Sequence, residues 1–287
     1  MIIGISGPTG VGKTKMSTKL AKHYNGIIIN GDAMQVYKKM DIATAKIKEE
    51  EKEGIPHYLF DIKDFKEDYS IYDYQKDVRK LIDENKDKNI IIVGGSGLYH
   101  KAALYDYKLD DEEESIKDDY EEYTNEELYD IAIKKDPDLK VHVNNRKRLI
   151  RVLNKENVEH QDSKLLYDDV IFIGLTTNRE KLYSIIDNRV DEMVKEGLLE
   201  EAKYFYDNKV ECKSLNTVIG YKELFKYFDG ELSLEEAIDL IKKNSRHYAK
   251  RQYTWFNHQI PIKWFDVDFS NFDNTIKEVY DYIKKER

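Results

Sequence analysis

The chain has 287 residues, of which 40% are hydrophobic and 36% are charged, and its formal net charge is −9. This composition is typical of a well-solvated globular protein and excludes a disordered or fibrous chain. No apolar run approaches the ~18 residues that a membrane span needs. The start, from Met1 to Ile5, lacks a basic flank and a cleavage site, so we expect no signal peptide and a cytoplasmic location. Cys212 is the only cysteine, which excludes an internal disulfide and a multi-thiolate metal site.

The first predicted elements are a strand, a loop, a helix and a second strand. Two Ile-rich runs, Ile2 to Ser6 and Ile27 to Asn30, predict buried parallel strands, and Lys13 to Tyr24 between them has helical spacing. The residues Gly7 to Thr14 match G-x-x-x-x-G-K-[ST], the P-loop motif. Its glycines let backbone N–H groups converge on phosphate oxygens, its lysine supplies a cation, and its threonine is placed to reach Mg²⁺. The predicted ligands of a phosphate or diphosphate are Thr9, Gly10, Val11, Gly12, Lys13 and Thr14.

Two candidate catalytic side chains follow strands of the predicted sheet. Asp32 comes just after the second strand, and a third strand, Asn89 to Val93, ends in Gly94-Gly95-Ser96 with no acid, unlike many nucleotide hydrolases. Because parallel strands end at the same edge, we expect Asp32 and Ser96 to border one crevice with the P-loop. Asp32 could be a general base and Ser96 could hydrogen-bond a leaving oxygen. From the residues alone, a helix cap or a loop acid remains the alternative for Asp32, and a turn residue remains the alternative for Ser96.

A long segment separates the third strand from a fourth, Val170 to Leu175, and indicates an insertion. Within it, the pattern predicts two helices, from Asn125 to Lys135 and from about 145 to 154. We predict an α/β fold, a P-loop NTPase-like parallel sheet flanked by helices, with an inserted helical domain. The predicted domains are 1–107 with 166–287 for the catalytic core and 108–165 for the insertion. Beyond Leu175 the chain reads as helices, one of them opened by a capping box at Ser233 and Glu236.

The negative charge is unevenly distributed along the chain. Residues 110 to 127 contain eleven acidic residues and one lysine, which exceeds the whole net charge. Two segments without acids are basic, residues 140 to 151 and residues 242 to 252. Local patches matter more than net charge for binding a phosphate backbone, although solvated helix faces remain the alternative for either patch.

A series of motifs, in the order of the chain, resembles the tRNA dimethylallyltransferase family. The motifs are Gly7 to Thr14, Asp32 to Tyr37, Met40 to Lys46, Gly54 to His57, Gly94 to Tyr99, Arg148 to Leu153, Arg189 to Asp191, Ile219 to Glu223 and Ala249 to Gln252. The match runs over nearly the whole chain. Two positions depart from it, because Ala33 stands where Ser is usual and Ile185 stands where relatives often have Arg.

The resemblance implies transfer of a dimethylallyl group from dimethylallyl diphosphate to N6 of adenosine 37 in tRNA, with release of diphosphate. It implies that the P-loop holds the diphosphate, that Mg²⁺ binds through Thr14, and that Asp32 accepts the N6 proton. Ser96 would lie near the bridging oxygen, and Arg179 or Arg189 would compensate for Ile185. Gln35 would help read the adenine edge.

The resemblance also implies binding of the anticodon stem-loop. The expected tRNA contacts are Asp32, Ala33, Met34, Gln35, Ser96, Lys147, Arg148, Arg151, Lys250, Arg251 and Gln252. A target base would have to leave its stack to reach the crevice. The residues leave other activities open: a P-loop small-molecule kinase, a prenyltransferase acting on free adenine nucleotides, and a non-catalytic RNA-binding protein. A monomer without a membrane partner is the default expectation.

Overall fold

The computed structural model describes residues 1–107, 109, 120–154 and 164–287. It divides into two compact units, residues 1–104 with 165–287 and residues 105–164. Of the predicted domain boundaries, 108 falls outside the described residues, as does most of the acidic segment. The division into a catalytic core and a tRNA-binding insertion stays a prediction.

The larger unit is built on a parallel sheet of six strands within the described residues. The strands are β1 (Ile2–Ser6), β2 (Gly26–Asn30), β3 (His57–Tyr58), β4 (Asn89–Val93), β5 (Val170–Thr176) and β6 (Lys263–Asp266). Their order is β3-β2-β4-β1-β5-β6. In the centre, Ile3 pairs with Ile91 on one side and with Ile171 on the other. Helices cover both faces of such a sheet, which is why its central strands are Ile-rich and not alternating.

Helices make up most of the remaining described chain. They are α1 (Lys13–His23), α2 (Ile71–Glu84), α3 (Gly97–Leu104), α4 (Asn125–Lys135), α5 (Arg146–Asn154), α6 (Arg179–Lys195), α7 (Leu198–Asp207), α8 (Lys213–Thr217), α9 (Tyr221–Phe228), α10 (Leu234–Gln259) and α11 (Phe272–Glu286), with a short 3₁₀ turn at Glu49–Lys52. The predicted capping box opens α10, where Ser233 Oγ accepts the Glu236 N–H at 3.2 Å and the Glu236 carboxylate accepts the Ser233 N–H at 2.8 Å. No helix within the described ranges is both long enough and apolar enough to cross a membrane.

The core of the larger unit lies between the sheet, α1 and α11. Ile3, Ile5 and Ile173 of the sheet are fully buried against Met16 of α1 and Val279 of α11. Burial of an aliphatic side chain of this size contributes about 1.5–3 kcal/mol. The C-terminal helix is therefore an integral part of the sheet's packing.

The smaller unit has a core of its own between α4 and α5. Leu128 and Ala132 of α4 are buried against Leu149 and Leu153 of α5. The hydroxyl oxygen of Thr124 accepts a hydrogen bond from the N–H of Glu127, and this cap determines where α4 begins. The amphipathic pattern of α5 leaves its basic residues on the opposite face.

The expectation that the chain is helical beyond Leu175 is wrong at β6. Residues Lys263–Asp266 pair in parallel with the end of β5, so that Trp264 lies opposite Gly174. A four-residue edge strand with two exposed polar ends has too little hydrophobic pattern to be recognised.

Candidate active site

The P-loop motif forms the connection between β1 and α1. Gly10 and Gly12 have φ angles of +83° and +88°, in the left-handed region that favours glycine. A Cβ atom on Gly10 would lie 2.4 Å from Cγ2 of Ile185, and one on Gly12 would lie 2.6 Å from the ring of Phe272. Both positions therefore require glycine for backbone conformation and for space.

Lys13, the first residue of α1, folds back over this loop. Its Nζ donates to the carbonyl oxygen of Gly7 at 2.8 Å and to that of Pro8 at 2.7 Å. Burial, with a further contribution from the positive charge of Arg189, lowers the pKa of Lys13 to about 8, and the charge of Asp32 partly opposes this. Asp32 and Arg189 are thus both close enough to Lys13 to influence its ionisation.

Asp32 lies directly after β2 in a turn shaped by Asn30. Asn30 Oδ1 accepts the Asp32 N–H at 2.8 Å, and Asn30 Nδ2 donates to the carbonyl of Leu59 at 3.0 Å. Although part of the residue is accessible, burial of the carboxyl group raises the pKa of Asp32, and the N–H of Met34 and the charge of Lys13 only partly oppose this. A carboxylate with a raised pKa is a stronger base, so Asp32 is suited to accept a proton.

Ser96 lies in the turn that follows β4. This turn packs so closely on the turn after β2 that a Cβ atom on Gly94 would lie 2.1 Å from the backbone of Gly31. Ser96 Oγ accepts the Ala33 N–H at 3.2 Å, and the Ser96 N–H donates to the Gly31 carbonyl at 3.3 Å. The structure therefore brings Ser96 next to the segment that carries Asp32.

Gln35 belongs to the same turn as Asp32. Its Nε2 donates to the carbonyl of Thr44 at 2.9 Å. Gln35, Ala33 and Met34 are all half-buried. The side chain of Gln35 is thus held by backbone and not by another side chain.

The two candidate arginines on α6 have different surroundings. Arg189 is one helical turn beyond Ile185, so it lies on the same face of α6 as the residue that packs on the P-loop. Its Nε is buried and has no hydrogen-bond partner within the described part of the chain. Arg179 is exposed, and its Nε donates to the hydroxyl of Tyr183 at 3.1 Å. Arg189 is therefore the better placed of the two to meet an anion on the P-loop.

Helix α10 packs over the turn after β4. Gln252 is buried, and its Nε2 donates to the carbonyl of Gly95 at 2.9 Å. A Cβ atom on Gly97 would lie only 2.0 Å from the ring of Trp255. These contacts hold the backbone on both sides of Ser96.

The basic residues of α10 fall into two groups. Arg246 forms an ion pair with Asp187 of α6 at 2.5 Å. Lys250 and Arg251 are exposed, whereas Gln252, the third predicted tRNA contact in this run, is buried. Gln252 therefore supports the turn after β4, whereas the side chains of the two preceding cations are open to solvent.

Comparison with known proteins decides the family. The family model of IPP transferases matches residues 35–259. The tRNA dimethylallyltransferase of Anoxybacillus flavithermus is 46% identical over 300 residues, which cover 99% of this chain and 96% of that protein. The tRNA dimethylallyltransferase of Bacillus licheniformis is 44% identical, with coverage of 98% and 96%. The chain belongs to the IPP transferase family.

Solved structures of IPP transferase family members share the fold. The full-length tRNA isopentenylpyrophosphate transferase of Bacillus halodurans has a TM-score of 0.77 at 43% identity, covering 99% of this chain and 95% of that one. A eukaryotic dimethylallyltransferase described as acting on tRNA has a TM-score of 0.84 at 30% identity, with coverage of 99% and 79%. The predicted family, the P-loop NTPase-like α/β fold and the assignment as a prenyltransferase enzyme are confirmed.

In this IPP transferase, the smaller unit carries the other predicted tRNA contacts on α5. Lys147, Arg148 and Arg151 are exposed there. Their neighbour Arg146 instead donates to the carbonyl of Tyr123 at 2.7 Å and so belongs to the unit's own structure. Three of the four cations of this helix are thus presented outward.

The protein groups around the P-loop fit a Mg²⁺ ion that takes most of its ligands from a substrate. Thr14 is the second residue of α1, and among the described residues its hydroxyl makes no hydrogen bond. The described part of the chain contains no group of three or more His, Cys, Asp or Glu side chains that could hold a metal. Mg²⁺ commonly binds through one or two protein ligands together with phosphate oxygens and water, which this donor set allows.

Tyr248 and Phe272 are site residues that sequence reasoning did not identify. Tyr248 is 37% exposed as a whole residue, but its hydroxyl lies beside the side chains of Ser96 and Gln252. Burial of that hydroxyl, with a contribution from the charge of Asp32, raises the pKa of Tyr248 to about 12. Its position one turn before Gln252 on the same helical face could have indicated this. Phe272 reaches the P-loop from the far end of the chain, and no local signal predicts that contact.

Proposed function

We propose that this chain transfers a dimethylallyl group from dimethylallyl diphosphate to N6 of adenosine 37 in tRNA and releases diphosphate. Membership of the IPP transferase family supports the reaction class. The observation that carries the assignment to this crevice is the electrostatic interaction between a P-loop lysine, Lys13, and the carboxylate of Asp32, whose burial raises its pKa. One binds the leaving group, and the other accepts the proton that the amine must lose.

The diphosphate binds to the P-loop. Backbone N–H groups from Thr9 to Thr14, at the start of α1, donate hydrogen bonds to its oxygens. Lys13 gives up its contacts with the loop carbonyls and binds the diphosphate instead. Arg189 supplies a second cation from α6, in preference to Arg179. Thr14 would hold Mg²⁺, which offsets the charge that develops on the departing diphosphate.

The transfer step forms one bond and breaks one bond. The lone pair of N6 attacks C1 of the dimethylallyl group, and the bond from C1 to the bridging oxygen breaks with its electron pair going to diphosphate. In this step the hydroxyl of Ser96 donates a hydrogen bond to that oxygen, and Asp32 takes the proton from N6. An exocyclic amine is a weak nucleophile, so both the base and the stabilised leaving group are needed.

Recognition of tRNA uses exposed cations and a flipped base. Lys147, Arg148 and Arg151 of α5 and Lys250 and Arg251 of α10 are proposed to contact the anticodon stem-loop. Adenosine 37 leaves the stack and enters the crevice, where its edge meets the turn from Asp32 to Gln35. Gln252 contributes by fixing the turn after β4. A tRNA substrate places the enzyme in the cytoplasm, and the expected monomer is checked by light scattering.

The test is a direct assay with two variants of the proposed base. The protein is incubated with dimethylallyl diphosphate, Mg²⁺ and unmodified tRNA, and the nucleosides are examined by mass spectrometry for a five-carbon addition to adenosine. Asp32→Asn keeps the shape of the side chain and removes the base, so we expect product formation to fall by roughly 10²–10⁴-fold while tRNA binding persists. Asp32→Ala is tested alongside. Absence of product from the wild type, together with consumption of ATP, would instead support a kinase.

A further inference from the structure

One carboxylate outside the crevice holds a turn whose backbone accepts a hydrogen bond from the side chain of Gln35. Glu201 of α7 accepts hydrogen bonds from three consecutive backbone N–H groups, those of Asp41 at 2.9 Å, Ile42 at 2.8 Å and Ala43 at 3.0 Å. Its Oε1 also accepts from the hydroxyl of Tyr221 at 2.8 Å. Tyr221, on α9, is fully buried. Consecutive N–H groups that converge in this way form an anion-binding concavity, and the anion that fills it here is Glu201.

The same turn determines which end of the Gln35 amide faces the substrate. The segment Met40 to Lys46, here called the 40–46 turn, directs two carbonyl oxygens at Gln35 Nε2, that of Thr44 at 2.9 Å and that of Ala45 at 3.5 Å. Carbonyl oxygens only accept hydrogen bonds, so the NH₂ group of Gln35 must face them. The amide oxygen of Gln35 is then left as an acceptor, and the described residues place no donor on it.

An acceptor at this position selects for a donor on the base. Adenine presents an exocyclic amine as a donor, whereas guanine presents O6, an acceptor, at the corresponding position. The backbone N–H of Gln35 also faces the Asp32 carboxylate, so the amide and the proposed base belong to one short segment. Loss of the 40–46 turn would free the Gln35 amide to rotate and to present NH₂ to the base instead.

We propose that Glu201 is a positioning residue that makes the site selective for an exocyclic amine, because it fixes the 40–46 turn and thereby the orientation of the Gln35 amide. This inference rests on the proposed function, since it concerns how the target base is recognised. Glu201 does not touch the substrate itself. It acts from α7 through backbone.

A second anchor means that the turn survives the loss of Glu201. The side chain of Lys46 is 5% exposed, and its Nζ donates to the carbonyl of Tyr37 at 2.7 Å and pairs with Asp61 at 2.6 Å. Replacing Glu201 therefore loosens one end of the turn without releasing the other. Variants at Glu201 are expected to fold.

The test compares Glu201→Gln with Glu200→Gln, a matched control. Glu200 is the preceding residue on α7 and is exposed, so its substitution makes the same chemical change without touching the 40–46 turn. An amide at Glu201 keeps the volume but loses the charge, and its NH₂ group cannot accept from an N–H. We expect the KM for an anticodon stem-loop RNA with adenosine at position 37 to rise about tenfold, which corresponds to ~1.4 kcal/mol, and the KM for dimethylallyl diphosphate to stay within about twofold, a change of ~0.4 kcal/mol.

A binding competition measures recognition of the amine at equilibrium, without turnover. Stem-loop RNAs with adenosine or with purine riboside at position 37 compete for binding, and purine riboside lacks only the N6 amine. We expect the wild type and Glu200→Gln to prefer adenosine and Glu201→Gln to lose most of that preference. In a double-mutant cycle, Gln35→Ala combined with Glu201→Gln should cost no more than Gln35→Ala alone, because both changes remove the same contact.

Three outcomes would overturn the proposal. The first is a wild type that does not distinguish the two RNAs, and the second is additivity of the two substitutions. The third is a Glu201→Gln variant whose melting temperature falls while both KM values and the preference stay unchanged, since that result indicates a structural role only. Absence of prenylated product from the wild type would contradict the proposed function, and the binding competition would still decide the role of Glu201.

Discussion

Replacing Arg189 with methionine tests the electrostatic arrangement around the P-loop. The guanidinium is largely buried on α6, and its charge is one cause of the low pKa of Lys13, which is about 8. Methionine keeps much of the volume and removes the charge. A positive neighbour disfavours the protonated form of Lys13, so its removal raises that pKa. Burial is the larger cause and remains, so the new value stays below the ordinary 10.5.

The same substitution weakens diphosphate binding. A hydrogen bond to a charged group contributes about 1.5–3 kcal/mol. Since each 1.4 kcal/mol is about tenfold in an equilibrium constant, we expect the KM for dimethylallyl diphosphate to rise by ~10- to ~100-fold. The KM for tRNA should change much less, because Arg189 lies at the P-loop and not among the exposed cations.

The assay is the pH dependence of kcat/KM for dimethylallyl diphosphate, which reports the ionisation of the enzyme before the diphosphate binds. Below pH about 8 Lys13 is protonated and can bind the diphosphate, and above it kcat/KM should fall about tenfold per pH unit. At the acid end kcat/KM should fall as Asp32 becomes protonated, above the usual carboxyl range because burial raises the pKa of Asp32. In Arg189→Met the maximum kcat/KM should be lower, and its fall on the alkaline side should begin at a higher pH.

Two results would refute this reasoning. An alkaline limb that does not move in Arg189→Met would mean that Arg189 does not act on Lys13. An unchanged KM for the diphosphate in Arg189→Met, with a raised value in Arg179→Met, would assign the second cation to Arg179. Thermal unfolding of both variants separates either effect from a loss of folding.

Three further variants, two single and one triple, follow from the geometry. Gly10→Ala places a Cβ atom against Ile185 in a left-handed backbone, and urea unfolding should show a larger loss of stability than the ~1–2 kcal/mol of the left-handed conformation alone; the control is Gly54→Ala, where φ is also positive but the added atom meets nothing. Ser96→Ala should lower the single-turnover rate by about 10- to 100-fold if its hydroxyl contacts the bridging oxygen, as for a hydrogen bond to a charged group, and an unchanged rate would exclude that contact. Replacing the three exposed cations of α5 with glutamine should reduce the slope of log K against log salt for tRNA binding by about three, whereas an unchanged slope would remove α5 from the interface. The three changes are Lys147→Gln, Arg148→Gln and Arg151→Gln.

Elements with a strong local pattern could be predicted from the sequence. Four Ile- and Val-rich strands are correct within two residues, because buried parallel strands carry a continuous apolar run. Helix α4 is correct at both ends, since a capping box fixes its start and Pro137 follows its end. β3 has only two residues and β6 four, so neither carries enough pattern to be separated from a loop.

The candidate site could be predicted only as far as chain neighbours and sheet topology allow. The P-loop is local, and the meeting of Asp32 with Ser96 follows from two parallel strands that end at one edge. The support of these residues is non-local. Glu201 binds a turn 160 residues earlier in the chain, and it gave no signal because an acid on an amphipathic helix is ordinary.

The side chains that support the loops of the site come from helices after β5, and this indicates the role of those helices. The proposed catalytic residues, Asp32 and Ser96, lie in the first 96 residues, yet three loops around the site are packed from beyond β5. Ile185 and Phe272 pack on the P-loop, Gln252 supports the turn after β4, and Glu201 holds the 40–46 turn. Gly10 and Gly12 of the P-loop leave the space that side chains of α6 and α11 occupy. The loop and those two helices must therefore form together. Removing α11 would take Phe272 from Gly12 and Val279 and Ile283 from the core, at about 1.5–3 kcal/mol for each aliphatic side chain exposed. The helices after β5 are therefore the walls of the site and not a separable appendage.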